Sequence, residues 1–109
     1  MRAGDLRTRA LLQARVERDD EMGGKAVSYA TLGALWCSVV TEGRDARELY
    51  EARKLNPKLT HLVQARYRPG VTPKMRLIVA QRVLDIVGVV DRDGRHAEMH
   101  LLCEEVVRA

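Results

Sequence analysis

Apolar and polar residues alternate one for one along most of this chain, and a chain so patterned can bury its apolar side only by pairing strands. From 6 to 17, Leu6, Thr8, Ala10, Leu12, Ala14 and Val16 fall on one side. Arg7, Arg9, Gln13, Arg15 and Glu17 fall on the other, with Leu11 the exception. This predicts a half-buried strand. Asp19, Asp20, Glu21, Gly23 and Gly24 then form a polar loop. The apolar stretch 26–41 is broken at Gly33, and Ala34 to Thr41 reads apolar on both faces, which predicts a strand buried on both sides. Strand patterns return at Leu62–Arg68, Met75–Ala80, Val83–Val90 and Arg95–Val106. Pro69-Gly70 marks a turn, Gly88 a bulge or close backbone approach, and Asp91-Arg92-Asp93-Gly94 a hairpin loop with Gly94 at positive φ.

The period changes once. Within 44–55, Ala46, Leu49, Tyr50 and Arg53 fall at helical spacing, with charges on the remaining faces. Asn56-Pro57 ends the pattern, because the residue before a proline disfavours the α region. The apolar stripe is thin, so this short helix would be marginal alone. About six strands with turns roughly every ten residues, plus one helix, predict a mainly β fold: a small β-barrel or sandwich of antiparallel strands with one inserted short helix. The 109 residues make a single domain spanning 1–109. Phe is absent and Trp36, Tyr29, Tyr50 and Tyr67 are the only aromatics, so the core must be built from Leu, Val, Ile, Ala and Met.

The pattern excludes several kinds of chemistry. No run reaches the roughly 20 apolar residues that span a bilayer, so no membrane role is expected. Asp5 follows Arg2 with no apolar stretch behind it, which does not describe a signal peptide. Cys37 and Cys103 lie in apolar runs and are expected as reduced, buried thiols in a cytosolic setting. His96, His100 and Cys103 would chelate an ion on a helix, but on a strand residues four apart sit roughly 13 Å from one another. Asp19-Asp20-Glu21 lacks the spaced oxygen ligands of an ion loop. Gly23-Gly24-Lys25 lacks a phosphate-loop frame, and neither Ser28 nor Ser38 sits in a nucleophile elbow. No catalytic, cofactor or metal residue is assigned, and the chain reads as a non-enzyme.

Charge is unevenly placed. The formal net charge is +4. Between Glu51 and Asp85 there is no acidic residue, while Arg53, Lys54, Lys58, Arg66, Arg68, Lys74, Arg76 and Arg82 all lie there. From Asp85 onward acids predominate: Asp85, Asp91, Asp93, Glu98, Glu104 and Glu105. A basic middle and an acidic end suit two partners, or a head-to-tail contact between copies of the chain. They also suit a solvated surface with no partner. The alternative of a free nucleic-acid-binding β-barrel uses the segment from Arg53 to Arg82, although basic and aromatic residues interleave there only at Arg66-Tyr67-Arg68.

The order of the pieces resembles the head–tail joining (head-closure, or stopper) family of tailed bacteriophages. The matching elements begin with Gly4-Asp5-Leu6-Arg7 and the acidic loop Asp19 to Gly24. They continue through Leu35-Trp36-Cys37-Ser38-Val39, Gly43-Arg44-Asp45 and Val63-Gln64-Ala65-Arg66-Tyr67. Thr72 to Leu77, Val83 to Val87 and Met99 to Glu105 complete the series. Cys37, Asp45 and Leu84 depart from the family's usual alanine, glutamate and aromatic. The resemblance implies a virion-neck protein, assembled in the host cytoplasm as a ring, commonly twelvefold. Such a ring docks under the portal and adaptor, closes the DNA channel after packaging and offers a surface to the tail; a tail-completion protein is a related alternative. It further implies that the segment at about 43–60 projects toward the channel. Channel-facing candidates are then Arg44, Arg47, Arg53, Lys54 and Lys58, in weak contact with packaged double-stranded DNA. Subunit-interface candidates are Arg66, Arg68 and Arg76 on the basic side and Asp91, Asp93, Glu104 and Glu105 on the acidic side. The isolated chain is expected to be monomeric.

Overall fold

The computed structural model describes residues 6–107. Gly4 and Asp5, which open the family-like series, lie outside them. Six antiparallel strands are present: β1 Thr8–Asp19, β2 Lys25–Val40, β3 His61–Arg66, β4 Arg76–Val79, β5 Arg82–Asp91 and β6 Glu98–Val106. A 3-10 turn at Arg44–Ala46 runs into the helix α1, Arg47–Arg53, between β2 and β3. The strands close in the order β1-β2-β3-β6-β5-β4. Of the expected barrel or sandwich with an inserted helix, the barrel is what forms.

Alternation fills the barrel. Each strand contributes its inward set: Ala10 and Leu12, Leu35 and Cys37, Val63 and Ala65, Leu77 and Val79, Leu84 and Ile86, and Met99, Leu101 and Cys103. Burial holds the Cys37 thiol up at about 11 and, with the nearby Cys37 and Asp85 adding to it, the Cys103 thiol up at about 12, so both stay protonated at neutral pH.

A second apolar cluster lies outside the barrel wall. Val40, Leu62 and Leu102 are register neighbours across β2, β3 and β6 and point outward. Ala46 and Leu49 cover them, joined by Leu59 and Ala52. The segment 43–60 is thus seated on the wall, and it presents outward a mainly charged face with Tyr50 and Leu55 exposed on it.

Two expectations need correcting, both on β2. The chain does not break at Gly33: β2 passes through it with a register shift opposite Leu12 and Gln13. The Arg68 guanidinium lies against Gly33, 2.9 Å from where a Cβ would stand, so a side chain there would have to displace it. Nor is β2 covered on both faces. Trp36 is 60% exposed, because α1 reaches only the Val40 end of the strand. Gly88 fits its reading: β5 bulges between Ile86 and Gly88, and a Cβ there would meet Leu102 at 3.5 Å.

The element that stands off the barrel is a hairpin arm. β4 pairs β1 only over Ala10 to Gln13. Beyond that, β1 and β2 pair only with each other as far as Asp19 and Lys25. This ribbon stretches the molecule to 50 × 27 × 27 Å. Asp20 closes its tip, its carboxylate accepting from the backbone N–H of Met22 and Gly24 at 2.9 and 2.8 Å. At its base, Arg76 stacks 3.4 Å from the Tyr29 ring centroid and its Nε donates to Gln13 Oε1 at 2.8 Å.

Candidate assembly surfaces

The five channel-facing candidates lie on the 3-10 turn, α1 and the chain that follows it, and the fold employs two of them locally. Arg53 Nε donates to the Leu59 carbonyl at 2.7 Å, which ties the end of α1 to the chain entering β3. Lys54 pairs with Glu51 at 3.1 Å. Arg44, Arg47 and Lys58 are exposed. Acids are interleaved with these bases: Glu42, Asp45, Glu48 and Glu51 against Arg44, Arg47, Arg53 and Lys54 over 42–54.

Under α1 lies a polar junction that strand alternation does not reveal. His100 sits on β6 with its side chain buried. Its Nδ1 meets Glu48 of α1, and its Nε2 lies 3.4 Å from Glu98 without a hydrogen bond. Glu98 in turn meets Arg92 at 3.3 Å. The signal available in the sequence is spacing alone: His100 falls on the outward side of a strand whose inward side is Met99, Leu101 and Cys103. What it meets there depends on where α1 docks.

A second junction joins β3 to β6. The Thr60 backbone N–H donates to the Cys103 carbonyl at 2.9 Å, and Glu105 N–H donates to Thr60 Oγ1 at 2.8 Å. Thr60 Oγ1 also lies 2.7 Å from His61 Nδ1. Burial pushes the His61 pKa below its ordinary 6.5, opposed by Glu105 and aided by Arg82 and Arg53. A neutral ring protonated at Nε2 can accept the hydroxyl proton at Nδ1; a doubly protonated ring cannot. The unfolded chain therefore binds more protons than the folded one below pH 6.5. The His61 contribution is complete above that pH and is lost as pH falls through the lowered folded value. Thermal midpoints of the wild type should drop on acidification through this window, and His61→Asn should flatten that part of the profile. An unchanged slope in the variant would remove His61 as the cause.

The seven interface candidates do not form one patch. Arg76 is held at the base of the arm. Asp91 is occupied in the β5–β6 loop, accepting from His96 N–H at 3.0 Å, and Glu105 pairs with Arg82 at 3.5 Å. Asp93 falls in the 3-10 turn Arg92–Gly94. Arg66 is exposed at the end of β3, and Arg68 donates to the Leu32 carbonyl at 3.3 Å beside Trp36. Glu104 is half-buried on the outer face of β6. Sequence reasoning missed Trp36 as a surface residue, since its apolar neighbours disguised it.

His96 and His100 serve different contacts: the His96 ring stacks edge-on against Tyr67 with centroids 4.5 Å apart. Among the described residues no three His, Cys, Asp or Glu side chains gather to hold a metal ion. No helix among them is long and apolar enough to cross a membrane.

Comparisons with known proteins match this architecture. No curated protein matches the chain. The solution structure of protein SF1141 from Shigella flexneri 2a is similar over 100% of both chains, at 26% identity and a TM-score of 0.75. A chain from the virion of a native gene transfer agent particle shares the fold at 20% identity and a TM-score of 0.61, over 94% of this chain and 98% of that one. The family model described as phage head completion protein matches residues 1–106, and the chain belongs to that family.

Proposed function

We propose that this protein forms a ring beneath the portal and adaptor of a phage or phage-like particle, closes the DNA channel after packaging, and presents a surface to the tail. The observation that carries this reading is the head-completion match over residues 1–106. The fold agrees with it: a closed barrel with a helix on one side and an arm at one end offers several separate contact surfaces.

In this reading the outer face of α1 turns toward the channel. Arg44, Arg47 and Lys58 are the cations it can offer, since Arg53 and Lys54 are engaged within the chain. The acids interleaved with them hold the lumen near neutrality, which suits a passage through which DNA slides. A dense basic ring would grip phosphates in a salt-dependent way.

Cryo-electron microscopy of purified portal–adaptor assemblies mixed with this protein tests the reading. A ring of density under the adaptor, with residues 43–60 toward the axis, is expected. No ring, together with retention of duplex DNA by the free protein at low salt, would instead make it a nucleic-acid-binding barrel. The exposed Trp36 near Arg66 and Arg68 is the observation that keeps this second reading in view.

A further inference from the structure

Two apolar rows cross the outside of the barrel, and only one is covered. Val40, Leu62 and Leu102 lie under α1. The other row, Leu11, Ile78, Val83 and Val106, is in register across β1, β4, β5 and β6. α1 does not reach it; Leu11, Ile78 and Val83 are half-buried and Val106 is 38% exposed. Two residue pairs along the same strands, on the same face, stand Asp85 and Glu104, whose Cα atoms are register partners. Neither carboxylate has a hydrogen bond or ion pair among the described residues. Arg76, the register partner of Asp85 on β4, is drawn away to Tyr29 and Gln13, so the two like charges, which repel directly opposite each other across two strands, are still improved by an arriving cation.

The opposite side of the barrel offers that cation. In the closed order β1-β2-β3-β6-β5-β4, β2 and β5 stand three places apart of six, hence on opposed walls. The outward side of β2 carries Trp36, with Arg9 as its partner on β1. Arg66 and Arg68 join Trp36 in lining a shallow hollow of about 380 Å³. Arg68 is fixed in place over Gly33. This face is aromatic and basic where the other is aliphatic and acidic.

We propose that neighbouring copies of this chain meet head to tail, the Trp36–Arg66 face of one seating on the Asp85–Glu104 face and aliphatic row of the next. This rests on the ring reading and assigns its subunit contact. Two unlike patches on opposed walls make a heterologous contact, which builds a ring when the rotation between copies closes. The indole covers the aliphatic row, and the guanidinium groups offer paired donors to the two carboxylates. Charge complementarity of this kind sets register and rejects wrong orientations. A nucleic-acid platform on the same face is less well supplied, because stacking successive bases needs successive exposed aromatics and Trp36 is the one that β2 presents.

Charge reversal tests the contact in two settings: assembly on the portal–adaptor complex, and sedimentation of concentrated free protein. Arg66→Glu alone, and Asp85→Arg with Glu104→Arg, should each weaken both by roughly a hundredfold in affinity. The triple variant carrying all three changes restores complementary faces and should regain assembly, which also shows that the variants fold. Trp36→Ala should lose assembly without rescue. Rings that form undiminished in the single-face variants overturn the assigned faces and leave the ring reading intact. Wild-type protein that associates in neither setting overturns both. Low-salt binding of a duplex DNA probe that Trp36→Ala abolishes, with self-association unchanged, would give the basic face to nucleic acid.

Discussion

Leu101→Ala should lower the stability of the protein by about 2–5 kcal/mol, seen as a drop in the urea midpoint with an unchanged slope. Leu101 is fully buried on β6, in register with Val63 of β3 and Val89 of β5. The barrel interior is close-packed by side chains from all its strands, so alanine leaves a cavity that no neighbour can fill without moving a paired strand. A domain of this size holds only about 5–15 kcal/mol in total, so the loss is a large share of it. The thermal midpoint should fall by roughly 10–30 °C. Val90→Ala, at a 40% exposed position two residues before the loop, should stay within about 0.5 kcal/mol of wild type. Equal effects at both positions would mean that the interior is not packed as described.

The second large effect is local. Leu49→Asp should release α1 while the barrel stays folded. The helix has seven residues, too few to persist unaided. Leu49 and Ala46 seat it on the outward row of Val40, Leu62 and Leu102, and a carboxylate at position 49 would be buried there without a partner. The barrel's own core faces the other way from the same strands. Hydrogen exchange reads the difference: amides of 47–53 should lose nearly all protection while those of β3 and β6 keep most of theirs. If β3 and β6 lose protection together with the helix, the two clusters are one cooperative unit. Under the ring reading, the released helix also removes the surface offered to the channel, so channel closure should suffer even where subunits still associate.

The barrel was legible because alternation reports sidedness directly. Val63, Ala65 and Tyr67 were separated from Leu62, Gln64 and Arg66 by period alone, and the structure puts the first set in the barrel core and Leu62 under the helix. Alternation does not report what covers each side. On β2 both sides are apolar, but the outward residues have unlike fates: Val40 lies beneath α1, while Trp36 stands in solvent. The difference depends on how far a seven-residue helix reaches, a tertiary fact with no local signature. The arm was hidden for a related reason. Strand pattern in β1 continues past Gln13 although its β4 partner stops there, and β4 is only four residues long. Among the charged candidates, sequence identified Arg66, Arg68 and Glu104 as surface groups. It had no means of seeing that Arg53, Arg76, Asp91 and Glu105 are already spoken for, because their partners lie 5 to 63 positions away.

Barrel closure has a consequence for the life of the chain before it meets its particle. In a sheet closed on itself, the margins left for another chain to extend are those where one strand outruns its neighbour, here the two sides of the arm and β5 beyond Ile86. The sides of the arm belong to strands studded with Arg15, Glu17, Arg18 and Lys25; Glu17 pairs with Arg15 along β1 and with Lys25 across the ribbon. Charge of both signs on such a margin disfavours stacking against an identical copy. Under the ring reading, association between copies is then left to specific side-chain contacts rather than to backbone pairing.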